Sequence, residues 1–187
     1  MVVAVLATLG LTLGLTVILA PGSAAPTATP SVQSLLTRAT AMVRAKRGFS
    51  KAAPLEADGT GRGEMKAATG VTKWRFVYNN QSTPKFKYRA AFLYYRNGRL
   101  GNFTAVKGPF LEDRNISTIP KMTLPTAVAK LRAAGHKLGF LTVTLRWPLT
   151  GGTRTARPIN EPLYIFGFSS GTFISVGTRT GRVQRIA

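Results

Sequence analysis

The stretch Glu161–Ala187 constrains this chain most, because short β-rich runs alternate there with glycine-bearing turns. Leu163-Tyr-Ile-Phe166 is an apolar run of strand formers, and Ser169-Ser-Gly-Thr172 follows as a turn. Phe173, Ile174 and Val176 make the next strand, Thr178-Arg-Thr-Gly181 a second turn, and Val183 to Ile186 a last short strand. Glycine supplies the positive φ that tight turns need, so the pattern predicts an antiparallel meander. None of these residues is an obvious catalytic group.

Two further regions alternate in the same way. In Thr72–Tyr78, Trp74, Phe76 and Tyr78 fall on one face, with Lys73 and Arg75 on the other. In Phe86–Tyr95 the same reading sets Phe86, Tyr88, Phe92 and Tyr94 against Lys87 and Arg89. Asn97-Gly98 is a hairpin signal, and Leu100–Val106 returns as a third strand. Phe140–Trp147 is another strand, with Leu141, Val143 and Leu145 opposite Thr142, Thr144 and Arg146.

Two amphipathic helices precede these strands. Ser31 is a candidate N-cap for Val32–Arg47, with Val32, Leu35, Leu36, Ala39, Met42 and Val43 at helical spacing and Gly48 as the stop. Thr123 or Thr126 caps a second helix with Leu124, Ala127, Val128, Leu131 and Ala134 on its stripe, Pro125 in its first turn and Gly135 at its end. The segment Phe49–Gly70, rich in Gly, Ala and charge, reads as a loop. Its Gly59-Thr-Gly-Arg-Gly63 lacks the flanking strand and helix of a phosphate-binding loop. Pro148–Asn160 reads as a second, polar loop.

Helix, glycine stop and strands thus occur twice in order. The expected fold class is α+β, two tandem units of one helix packed on a short antiparallel β-meander. Residues 31–107 form the first unit, 108–122 a connector and 123–187 the second unit. The residues Leu124–Gly135, the strand to Trp147, Pro162–Gly167 and Thr172–Val183 resemble a PepSY domain. That resemblance implies a cystatin-like helix-on-sheet unit, best over 123–187 and more loosely over 31–107. It also implies a non-catalytic module, of a kind proposed to restrain secreted peptidases.

The address lies at the start. Val2–Ala20 is almost wholly apolar, and Pro21-Gly-Ser-Ala-Ala25 supplies small residues. This predicts a signal peptide over 1–24, cut after Ala24, then a Pro/Thr/Ala linker over 25–30. The rival is an uncleaved membrane anchor, since the run is long and the first basic residue is Arg38. Three sequons, at Asn80, Asn102 and Asn115, predict glycosylation and favour a eukaryotic secretory route. Cysteine is absent, which excludes disulfides, thiolate metal sites and cysteine nucleophiles.

Charge carries the functional expectation. The chain has 26 Lys and Arg against 6 Asp and Glu, a net charge of +20. Such a balance speaks of acidic partners rather than of fold. Its one histidine, His136, has neither nucleophile nor carboxylate beside it in the sequence. Glu112-Asp113 are adjacent, and Glu56, Asp58, Glu64 and Glu161 fall in expected loops. No catalytic residue, metal site or cofactor is predicted. The expected site is instead a basic sheet face of Lys73, Arg75, Lys87 and Arg89, binding polysaccharide, lipid headgroups or nucleic acid. The alternatives are a PepSY-like interaction or inhibitory module, and a membrane-anchored subunit if Val2–Ala20 is retained.

Overall fold

The computed structural model describes residues 30–80, 87–108, 114–148 and 160–186. The apolar start, the cleavage after Ala24 and most of the Pro148–Asn160 loop lie outside them. Among the described residues no helix is long and apolar enough to cross a membrane.

Helix α1 spans Val32–Arg44, and the Ser31 side chain accepts the Ser34 backbone N–H as its N-cap. The helix ends at Arg44 with Ala45 as its C-cap, short of the expected Arg47, and Gly48, at φ +80, falls in the turn that follows rather than at the stop. Helix α2 spans Leu124–Ala133, capped by Thr123, with Pro125 in the first turn and Gly135 at φ +93 after its end. Eight strands follow the chain as β1 Ala52–Met65, β2 Lys73–Asn80, β3 Ala90–Arg96, β4 Arg99–Val106, β5 Phe140–Arg146, β6 Leu163–Gly167, β7 Phe173–Gly177 and β8 Val183–Arg185.

All eight strands form one antiparallel sheet in the order β4-β3-β2-β1-β5-β6-β7-β8. The expectation of two tandem helix-on-meander units is therefore wrong. Ala57 pairs with Phe76 of β2 on one side and Leu145 of β5 on the other, so hydrogen bonds run unbroken across the presumed boundary. Within the presumed connector, the Ile116 N–H donates to the Pro54 carbonyl, and Ile116 is buried.

That central strand is the largest correction to the sequence reading. Phe49–Gly70, expected as a loop, supplies β1. Its glycines suit close approach. A Cβ on Gly59 would lie 2.7 Å from Val71 Cγ1 and 2.9 Å from Trp74, and one on Gly61 would run into the Gly70 carbonyl oxygen. Hence the hydrophobicity that marks a buried strand is missing where neighbours fill the space instead. A 3-10 turn at Ala68–Gly70 then leads to β2.

Both helices share one apolar core with one sheet face, built on Phe76, Tyr78, Leu93, Leu145, Tyr164 and Phe166. Each fully buried large side chain there contributes about 2 kcal/mol. Polar ties fix the helices over the sheet. The Tyr164 hydroxyl donates to the Met122 carbonyl at 2.9 Å, and Gln33 Nε2 donates to that carbonyl and to the Tyr164 oxygen. Burial, only partly offset by the Gln33 hydrogen bond, raises the Tyr164 pKa above its ordinary value, so the ring stays neutral. The opposite sheet face, free of helices, carries the polar residues of β1 and β5.

Candidate functional site

Cross-strand register builds the site. Asp58 on β1 lies between Arg75 of β2 and Thr144 of β5. One step along, Glu56 lies between Val77 and Arg146, and on the other side Thr60 lies between Lys73 and Thr142. Tyr94 of β3 extends the Asp58 row beyond Arg75. These residues meet because period-two alternation sends Glu56, Asp58 and Thr60 to one face and Ala57 and Gly59 to the helix face.

Arg75 donates to Asp58 Oδ2 from Nη2 at 2.6 Å and Nε at 2.9 Å, and its Nη2 lies 3.4 Å from Glu56 Oε1. Arg146 donates to Glu56 Oε2 at 2.8 Å, and the Thr144 hydroxyl to Asp58 Oδ1 at 2.9 Å. Burial, then the hydrogen bond and charge of Asp58, push the Glu56 carboxyl up to about 7 against the pull of Arg146 and Arg75. Burial works against the Arg75 charge, but Asp58 and Glu56 outweigh it and leave that pKa above its ordinary value.

Beside this network the face opens into a groove of about 510 Å³ lined by Lys73, Arg75, Tyr94, Arg96, Asp58, Thr60, Thr142 and Thr144. The Arg96 guanidinium stacks on the Tyr94 ring at 5.0 Å, and Arg75 lies 5.6 Å from the Phe92 ring centre. Lys73 and Arg96 are exposed. Arg75 is paired with Asp58 and Glu56, so the groove's uncompensated charge comes from Lys73 and Arg96.

The expected basic face is only half present. Lys73 and Arg75 line the groove, whereas Lys87 and Arg89 do not. Lys87 lies 5.8 Å from the Tyr88 ring, and Arg89 precedes β3, partly buried, with its Nε meeting no protein acceptor. The faces of β3 are also reversed from the expectation. Ala91, Leu93 and Tyr95 are buried in the core, while Phe92 and Tyr94 share the face of Arg75. Period two is the same in either phase, and the aromatic ring count pointed to the wrong one. Phe86 lies outside the described residues.

The acids move too. Glu56, Asp58 and Glu64 lie on β1 rather than in loops. Glu161 just precedes β6 and holds the β7–β8 turn, accepting the backbone N–H groups of Arg179 and Thr180 and the Thr180 hydroxyl. Gly177 leaves room for it, since a Cβ there would meet Glu161 Oε1 at 2.5 Å. Burial opposes the Glu161 charge, but these hydrogen bonds and Arg179 prevail and hold its pKa below the ordinary value. Glu112-Asp113 lie outside the described residues. His136 follows α2, its backbone N–H bonded to the Leu131 carbonyl.

The three sequons differ in access. Asn80 is 1% exposed, and its Nδ2 donates to the carbonyls of Gly48 and Tyr88, so in the folded chain no amide is presented there for a glycan. Asn102 is exposed on β4 at φ +55, and Asn115 is half-buried. The alternation of polar with small residues in Glu56-Ala-Asp-Gly-Thr60 is the signal that marks β1 in hindsight.

No family model, curated protein or solved structure matches the chain. The resemblance to PepSY domains rests on the quoted residues alone.

Proposed function

We propose that the protein is a secreted, non-enzymatic binding module that holds an acidic partner on the helix-free face of its sheet. One observation carries this reading: Lys73 and Arg96 line one groove with Tyr94 and three threonines, beside the ion-paired Arg75. The described carboxylates add weight, because Glu56, Asp58, Glu64 and Glu161 all accept hydrogen bonds from the protein itself. Glu56, Asp58 and Glu161 are tied within the fold, and the cation excess of the chain is left to solvent and partners. Phosphate, sulfate and carboxylate groups suit such a groove, whether on a polysaccharide, a nucleic acid or lipid headgroups. Glu56 and Asp58 serve the scaffold in this reading, since Arg75, Arg146 and Thr144 tie them across β1, β2 and β5.

The test is retention on heparin and on a single-stranded oligonucleotide across a salt series. The Lys73→Glu/Arg96→Glu variant should lose most retention, and its log–log salt slope on the oligonucleotide should fall by roughly 1.4. Lys87→Glu should change both far less. Equal losses from the two variants would remove the groove from this reading.

A further inference from the structure

A second concavity lies away from the groove, at the end of β5 and the start of β6, with a volume of about 470 Å³. Its walls come from segments that have just left regular structure: 117–121 before α2, Trp147 after β5, Glu161-Pro162 before β6 and Thr178-Arg179 after β7. Such a volume is within the range that takes small molecules.

The lining has two characters. Ile119, Pro120, Pro162 and Trp147 present flat or rigid apolar surface, while Lys121 and Arg179 bring positive charge. Trp147 is held in place by Arg114, whose guanidinium lies 3.9 Å from the ring centre and donates to Asn160 Oδ1 at 3.0 Å. The indole Nε1–H is buried out of solvent's reach, so Trp147 offers the pocket its ring and not its donor. Glu161, the carboxylate of this wall, is turned into the β7–β8 turn and taken by three donors. Lys121 and Arg179 stand against this one carboxylate, so the lining keeps an excess of positive charge.

We infer that this pocket is a binding site for a small organic anion with a flat apolar body and one carboxylate. The body packs against Trp147, Pro120 and Pro162, and the carboxylate accepts from Lys121 and Arg179. Charge and shape are both needed, which separates this site from the open groove, where charge dominates. The inference does not depend on the groove's role.

Calorimetric titration of the full chain with 2-naphthoate, and with the uncharged 2-naphthalenemethanol, tests it. The expected result is saturable one-to-one binding of naphthoate, at least about tenfold tighter than the alcohol. Lys121→Gln/Arg179→Gln should weaken naphthoate about tenfold or more and leave the alcohol nearly unchanged. Both substitutions are at exposed positions, so thermal melts should match the parent protein. Trp147→Phe should weaken both ligands. Lys73→Gln/Arg96→Gln, in the groove, should leave naphthoate binding intact. The inference is overturned by absence of saturation or by equal affinity for acid and alcohol. It is equally overturned by a groove variant that weakens naphthoate as much as the pocket variant, because general attraction to a basic protein would then suffice.

Discussion

Glu56 and Asp58 sit two residues apart on one face of β1, and burial beside Asp58 pushes the Glu56 carboxyl well above its ordinary range. The Glu56 pKa rises from 4.5 to about 7 on folding, so the folded state binds its proton more tightly than the unfolded state does. That contribution to stability is full below 4.5 and is lost as pH rises through about 7. The melting temperature should accordingly rise by about 3 °C or more between pH 8 and pH 5. Glu56→Gln should flatten this trend, and an unchanged slope in thermal melts would sink the assignment. Glu161 acts with the opposite sign. Its pKa is lowered in the fold, so its contribution is present above the ordinary carboxylate range and is lost as pH falls below it. Glu161→Ala removes three hydrogen bonds from the β7–β8 turn and should cost about 2 kcal/mol at neutral pH. Denaturant midpoints at pH 7 and pH 3 check it, since the difference between variant and parent should shrink in acid.

At the scale of elements, β1 shows how a strand is made without apolar residues at every inward position. Gly59 and Gly61 let Trp74, Val71, Met65 and the Gly70 carbonyl approach the backbone, so core atoms come from neighbours. Gly61→Ala should destabilise by about 2 kcal/mol, because a backbone oxygen blocks the new methyl and cannot rotate away. Gly101→Ala on β4 meets nothing within 4 Å and should stay within about 0.5 kcal/mol of the parent. Urea denaturation of the pair reads the contrast. The helices follow local rules more simply. Ser31 and Thr123 cap them, and Gly135 follows α2 in the left-handed region, as their positions in the sequence imply.

For the whole molecule, the continuous sheet and shared core mean that neither set of four strands has a complete interior of its own. Tyr164 of β6 bonds to Gln33 of α1, and β1 is flanked by β2 and β5. Unfolding should therefore be a single transition. Far-UV circular dichroism and tryptophan fluorescence should give the same midpoint, and a fragment ending at residue 107 should not fold. Two separated transitions would contradict the single body. The charge of +20 acts at this scale as well. A net charge of this size attracts anions over long range, which is the property the salt series would read.

Much of this architecture was written locally. The N-caps, the Gly135 stop, the Asn97-Gly98 turn and the closing meander depend on neighbours a few residues away, and those positions read correctly from the chain, whereas α1 ends before Gly48. What lay beyond reach was anything set by partners distant in sequence. The phase of β3 was settled by which residues α1 covers. Asp58 became a partner of Arg75 and Thr144 only when β1 entered between β2 and β5. Propensity and spacing are properties of a segment, whereas register, burial and the pairing of charges are properties of what the segment is laid against.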